Sequence, residues 1–271
     1  MDQLLAMGFP EETAKAALEA HGNDLARSLD ALLSSEPAST QSSSPEVVQA
    51  SISQYDVENG RSACTCICLE ASVSILEQMA KGLWTGSPDD VANIVSIGVV
   101  MYEAVAGAGT LTTEHTSVSE ILPAVTRYND LLEPATARVY HQGVLGSDMS
   151  IAAVLEGIRR ERQENTRPTA VIITKPPETV VAFLPADTQE HSSGVTATSG
   201  SSQQWLLFDS HPRPHLGLVG ASVRSFGSEV VLVEALTTIF PALDLGTDSV
   251  SANMYNMVDC TPMRLKEVAE P

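Results

Sequence analysis

Four short apolar runs in the second half of the chain constrain its fold more than any other feature: AVIITK (170–175), TVVAFLP (179–185), WLLFDSH (205–211) and ASVRSFG (221–227). They are rich in β-branched and aromatic residues and are bounded by Pro, Gly or Ser, which reads as strand. The pattern before them is helical, with one helix opening at Cys64 and running towards Met79, one starting at Pro88, and a third over 151–163. An amphipathic helix, EVVLVEALTTIF (229–240), follows the strands. Helices first and a mainly antiparallel sheet later predict an α+β domain whose two halves pack on each other, with a cleft between them as the natural active site. At 271 residues and 43% hydrophobic content the chain can build one full-sized domain and a small satellite.

Two Ser-rich segments punctuate this order. SSEPASTQSSSPE (34–46) has no apolar periodicity and reads as a flexible linker. It divides the chain into residues 1–33, a linker over 34–50 and a main domain over 51–271. The other, 187–204, reads as a long loop joining two paired strands. The run 91–109 is about as long as a membrane span but carries Asn93 and Glu103. Before it, Ser87 reads as N-cap, Pro88 as the first helical residue and Asp89 and Asp90 as first-turn acids, so a buried core helix is expected.

Formal charge is 15 − 34 = −19, which disfavours nucleic acid and favours partners with basic surfaces. The four cysteines form no secreted disulfide framework, and the first residues carry neither the basic nor the long apolar region of a signal peptide. An intracellular protein, cytoplasmic or nuclear, with free thiols and no membrane association is expected.

Cys64, Cys66 and Cys68 are two residues apart on a predicted helix, so successive side chains point about 200° from each other, and the spacing does not suit a zinc site. No metal or organic cofactor is expected. Two readings stay open for Cys64: a small buried hydrophobe, or a nucleophile whose thiolate is favoured by the helix N-terminus. Cys66 and Cys68 are expected to face the core. A nucleophilic thiol needs a base. Among the histidines His21 falls in the N-terminal segment, and His115, His141 and His191 stand in polar stretches and read as surface residues. The strand WLLFD leads into Asp209, Ser210 and His211, and residues i and i+2 of a strand share a face, so Asp209 can orient the His211 ring. The alternative is a strand-end turn with His211 solvated before Pro212. His215 is the weaker base candidate.

Residues 1–33 accommodate three short helices, broken near Pro10 and Gly22, with Met7, Gly8 and Phe9 in the first loop. Through MGF, AKAALEAHGND and LDALL this segment resembles a ubiquitin-associated (UBA) domain. The resemblance implies a three-helix bundle in which Met7, Gly8, Phe9 and Leu32 contact ubiquitin. The main domain, through Gln54-Tyr55, NGRSAC (59–64), FDSHPR (208–213) and GASVRSF (220–226), resembles papain-like cysteine peptidases. It is most similar to the deubiquitinase domain of herpesvirus large tegument proteins and its cellular relatives. That implies a papain-like fold and a deubiquitinating peptidase acting on ubiquitin, polyubiquitin chains or ubiquitinated proteins. Cys64 would be the nucleophile, His211 the base, Asp209 its orienter and Gln54 the oxyanion donor. The loop from Gln54 to Cys64 is shorter than the family's and Ala63 replaces a polar residue, which makes Asn59 the substitute oxyanion donor. The rival classes are an inactive ubiquitin-binding adaptor, a scaffold with an inert Cys64, and a peptidase for a ubiquitin-like modifier.

Overall fold

The computed structural model describes Lys15 and residues 45–109, 116–162, 167–187, 204–244, 246 and 249–267. The expected bundle over 1–33 with Met7, Gly8, Phe9, Leu32 and His21, as well as His115, His191 and nearly all of the 187–204 loop, lies outside the described residues. The chain divides into two compact units, Met1–Ser44 and Pro45–Pro271.

The second unit is built on an antiparallel sheet of β1 (Glu46–Gln49), β2 (Leu132–Pro134), β3 (His141–Val144), β4 (Thr169–Lys175), β5 (Glu178–Leu184), β6 (Trp205–Asp209), β7 (Ser222–Phe226) and β8 (Met257–Leu265). Its order is β1-β7-β6-β5-β4-β8-β2, with β3 also on β8. Alternation along the central strands sends Ile172, Val181, Phe183, Leu206, Phe208 and Val223 to one face and Val171, Ile173, Val180, Ala182 and Leu207 to the other, and both sets are buried. Strands covered on both faces lose the polar alternation of a half-exposed sheet and read as continuous apolar runs, which is why these four were legible.

Against the first face packs α1 (Cys64–Met79), followed in the chain by α2 (Pro88–Gly107), α3 (Val118–Ala124) and α4 (Thr126–Leu131). Every residue of α1 from Cys64 to Val73 is buried. A helix enclosed all round must satisfy its polar groups internally. Accordingly Thr65 donates to the Thr116 carbonyl at 2.6 Å, the Tyr128 hydroxyl donates to the Cys66 carbonyl at 3.1 Å, and the buried Glu70 carboxylate takes two bonds from Arg127 at 2.9 and 3.0 Å.

Three sequence expectations change. The linker assigned to 34–50 ends earlier, because Glu46–Gln49 pairs with Ser222–Ser225 as the edge strand β1. The helix placed in the helical half, α5 (Ile151–Glu161), instead lies on the far face of the sheet. There Ile151, Val154, Leu155 and Ile158 share a core with α6 (Glu229–Ile239). The helix expected to be buried, α2, buries one side only. Val91, Ile94, Val95, Gly98 and Val99 face the core, while Val100 is 56% exposed. By length and composition α2 could cross a membrane, but its inner face is matched to α1 at backbone distance. Its start is as expected, with Ser87 and Asp90 capping each other and Pro88 first.

The strand β8, which the sequence concealed, lies inside the sheet despite Pro262. This proline falls between the residues that pair with β3 (Met257–Cys260) and those that pair with β2 (Met263–Leu265), and its carbonyl accepts from the Ala135 N–H at 2.9 Å. A proline is tolerated where no ladder donor is required. After β6 and before β8, α7 (Ser249–Asn256) completes the chain's helices among the described residues.

A Cβ on Gly98 would stand 2.4 Å from the Ile67 Cα and 2.8 Å from its backbone nitrogen, so α1 and α2 can cross this closely only with glycine there. Gly98→Ala should lower unfolding stability by about 1–3 kcal/mol, as expected for overpacking, and urea denaturation followed by circular dichroism measures it.

Candidate active site

The first residue of α1 is Cys64. The segment before it is held by reciprocal local bonds. Ser53 and Asp56 cap a single 3-10 turn over Gln54–Asp56, and a second turn spans Gly60–Ser62. A Cβ on Gly60 would come within 2.0 Å of the Gln54 carbonyl oxygen, so glycine is what lets the loop close onto Gln54. Asn59 takes the left-handed conformation, φ 61°, which asparagine tolerates.

Gln54 is buried and tied to the end of β6. Its N–H donates to the Ser210 carbonyl at 3.0 Å, and its side-chain carbonyl accepts from the Ser210 hydroxyl at 2.7 Å. The remaining amide N–H group reaches the Arg61 carbonyl at 3.4 Å, within the loop that leads to Cys64. The alternative donor points elsewhere: the Asn59 amide donates to Glu103 on α2 at 2.9 Å, at the exposed surface.

From β6 the chain turns at Asp209, whose carboxylate is fully buried. One oxygen accepts from the His211 backbone N–H at 2.9 Å and bonds the ring Nδ1 at 2.8 Å. The other accepts from the Arg213 Nε at 2.7 Å. Burial pushes the Asp209 carboxyl up, but the bonds and charges of His211 and Arg213 outweigh it and hold the group below the usual carboxylate range. An ionised Asp209 can only accept, so His211 Nδ1 carries the proton and Nε2 is left as the basic nitrogen. His211 is therefore a buried, oriented ring, 2% exposed, and the solvated strand-end turn does not form. His215 is exposed in a 3-10 turn over Pro214–Leu216. His141, expected at the surface, is instead buried on β3 beside Thr136, 3.2 Å away, where burial lowers its pKa.

The Cys64 sulfur lies 4.0 Å from the Pro177 carbonyl oxygen, in the turn joining β4 and β5. Burial pushes the Cys64 thiol up, against hydrogen bonds with Thr179 and Thr65 that favour the thiolate. Enclosure thus works against a thiolate at this helix N-terminus, and a reaction at the sulfur calls for a base to take its proton. Cys66 and Cys68 face the core as expected, Cys66 being pushed up to about 12 and Cys68 well above its ordinary value by burial. Tyr55 borders both parts of the cluster. Its ring meets the His211 ring edge-on at 5.9 Å, and its phenol, pushed up first by burial and then by Glu178, also feels Cys64 and Asp209. An open groove of about 660 Å³ adjoins it, lined by Tyr55, Asn59, Arg61, Ser62, Tyr102 and Glu103 among others.

The structure therefore draws Gln54, Ser210, Asp209 and His211 into one bonded group next to the start of α1. Sequence reading passed over Ser210 as a turn former and overlooked Glu178, which accepts from Arg213 at 2.7 Å. Strand parity offered the one signal, since Glu178 has the parity of Val180 and Ala182, the sheet face opposite α1 that Leu207 and Asp209 of β6 share.

Residues 1–32 match the UBA/TS-N domain family. No curated protein matches the chain by sequence. Among solved structures, the chain is similar to the ubiquitin-specific protease encoded by the murine cytomegalovirus tegument protein M48, solved in complex with a ubiquitin-based suicide substrate. The TM-score is 0.52 at 14% identity, over 83% of this chain and 88% of that one. The main domain has a papain-like fold. Here the start of α1 carries Cys64, and the end of β6 and the turn after it carry the Asp209–His211 pair.

Asp209 also governs acid stability. Its pKa is depressed in the folded state, so its contribution is present above the ordinary carboxylate range and is lost as pH falls through the lowered value. Asp209→Asn should cost about 3–5 kcal/mol near pH 7, because it removes the fully buried partner of Arg213 and leaves that cation only the partly exposed Glu178. The gap between the variant and wild type should close as the solution is acidified below about pH 4, which thermal unfolding across pH measures.

Proposed function

We propose that the protein is a deubiquitinating cysteine peptidase that hydrolyses the bond after the C-terminal glycine of ubiquitin, with its N-terminal UBA-like segment binding ubiquitin or polyubiquitin on the same substrate. The observation that carries the reading is the buried Asp209 carboxylate fixing the His211 ring at 2.8 Å, with Nε2 left basic, beside the helix that begins with Cys64. A UBA-like segment in the same chain supports ubiquitin as the common ligand.

In this reaction His211 Nε2 takes the Cys64 proton as the sulfur attacks the glycine carbonyl. The negative charge on the carbonyl oxygen is met by the Cys64 backbone N–H and by the Gln54 amide, which exchanges its long bond to Arg61 for the oxyanion. Protonated His211 gives its proton to the departing amine, leaving a thioester. Water, deprotonated by His211, then releases ubiquitin and restores the thiol. Asp209 keeps the ring oriented and stabilises the transient imidazolium. The chain's excess of acidic residues, 34 against 15 basic, favours capture of a basic polypeptide tail by electrostatic steering.

One observation favours the adaptor reading: Cys64 is only 5% exposed and its thiol is directed to Pro177. The two readings separate on incubation with ubiquitin carrying a thiol-reactive C-terminal electrophile. Wild type should form a one-to-one adduct on Cys64 that Cys64→Ala and His211→Ala abolish and Cys66→Ala retains. Binding without an adduct would make the protein an adaptor. Gln54→Ala should lower kcat by about 10²- to 10³-fold, while Asn59→Gly, which keeps the left-handed backbone and loses only a surface bond to Glu103, should stay within about twofold of wild type. For the N-terminal segment, Phe9→Ala in the full chain should weaken binding of polyubiquitin in a pull-down while leaving the electrophile adduct intact.

A further inference from the structure

Two bonds made by Arg213 link a group that the reaction uses to one that it does not. Arg213 donates through Nε to Asp209 Oδ2 and through a terminal nitrogen to Glu178 Oε2, both at 2.7 Å, and its side chain is 9% exposed. Glu178 opens β5 immediately after Pro177, whose carbonyl faces the Cys64 sulfur, and immediately before Thr179, which bonds that thiol. The guanidinium therefore spans from the carboxylate that orients the base to the turn that contacts the nucleophile.

We infer that Arg213 is a positioning residue, and that the Asp209–Arg213–Glu178 bridge sets both the charge felt by His211 and the register between the His211 strand end and the turn against Cys64. The inference rests on the peptidase reading for its catalytic consequence, though not for its electrostatic one. A guanidinium suits this place for a geometric reason: its fixed fork presents two donors in different directions, whereas an ammonium is a point charge on a flexible stem. It also suits it electrostatically. Asp209 and Glu178 would be two carboxylates close together with one of them fully buried, and Arg213 between them keeps Asp209 ionised. The same cation lies near the ring whose second nitrogen must be neutral to act as base, so it opposes over-stabilisation of the imidazolium by Asp209.

The other charged or titratable groups of this cluster are Tyr55 from the turn before α1, whose ring meets that of His211, Cys64 from α1, which Tyr55 senses, and Arg224 from β7, which senses Asp209, with Arg61 over Tyr55 at 5.9 Å. Arg224 is buried against the Phe226 ring at 5.8 Å and also senses Asp209, but it lacks a bond to that carboxylate. Arg213 is thus the cation in direct contact with the orienting group.

The test uses the full chain in four variants, Arg213→Gln, Arg213→Lys, Glu178→Gln and Asp209→Asn, with two readouts: NMR titration of the His211 ring, assigned by loss of its signal in His211→Asn, and kcat/KM against pH with a ubiquitin substrate. Removing the cation in Arg213→Gln should move the His211 titration midpoint up and carry the acid limb of kcat/KM with it. Asp209→Asn should move the midpoint down, and Glu178→Gln should move it down by less. Arg213→Lys keeps the charge and loses the fork, so its midpoint should stay with wild type while kcat falls, on the order of 100-fold for a displaced nucleophile–base pair. A merely structural arginine would lower activity in both Arg213 variants without this pattern of opposite shifts.

An unchanged midpoint in folded Arg213→Gln would overturn the inference. If that variant does not fold, an unchanged midpoint in Glu178→Gln, which alters a partly exposed carboxylate, would do the same. Wild type that shows the predicted ring titrations but neither hydrolyses ubiquitin nor reacts with the electrophile would support the bridge and overturn the peptidase reading. The two failures are thereby distinguishable.

Discussion

The ionised carboxylate of Asp209, buried at the end of β6, is the constraint on which the rest of the site depends. A charge in such a place is costly unless every lone pair is met, and here three donors meet it: the backbone and ring of His211, and the guanidinium of Arg213. Each donor comes from the four residues that follow, so the chain must turn sharply after Asp209 and fold its next residues back over it. That turn aims the His211 ring. It also places Ser210 where its carbonyl and hydroxyl both take hold of Gln54. One solvation requirement thus positions the His211 ring and the Gln54 amide together.

The helical side answers a different requirement. Because α1 is enclosed from Cys64 to Val73, its polar side chains had to find partners within the fold, and they did so through α4, the segment leading into α3 and the β4–β5 turn. The close crossing of α2 at Gly98 and the edge pairing of β1 with β7 hold that enclosure from two sides. A helix so tightly enclosed has little freedom to slide. The same enclosure raises the Cys64 thiol above its ordinary value although it begins the helix.

Where local pattern reports local structure, the sequence was informative. The start of α1 at Cys64, the capped start of α2 and the four central strands all follow from spacing, caps and turn residues. The Asp209–His211 pairing was legible because it spans only two residues of one strand end. Other features were hidden for identifiable reasons. Pro262 and Asp259 disguise β8, the short edge strand β1 was masked by the Ser-rich segment before it, and α5 carried no mark of which sheet face it would cover. The expectation of a fully buried α2 erred because apolar content alone does not say how many sides of a helix find a partner.

By itself, then, the sequence determined the four central strands, the starts of α1 and α2, which thiol begins a helix, and that Asp209 and His211 share a face, since these depend on contacts a few residues apart. Tertiary structure decided that residues 54–64, 176–179 and 209–213 meet, that Gln54 rather than Asn59 is tied to the strand end, and that Arg213 reaches Glu178, 35 residues before it. Those bonds exist only when the sheet registers β5 beside β6 and closes the loop before α1 against its edge. The physical reason is that a buried charge chooses its partners by proximity in space, and periodicity along the chain carries no record of that.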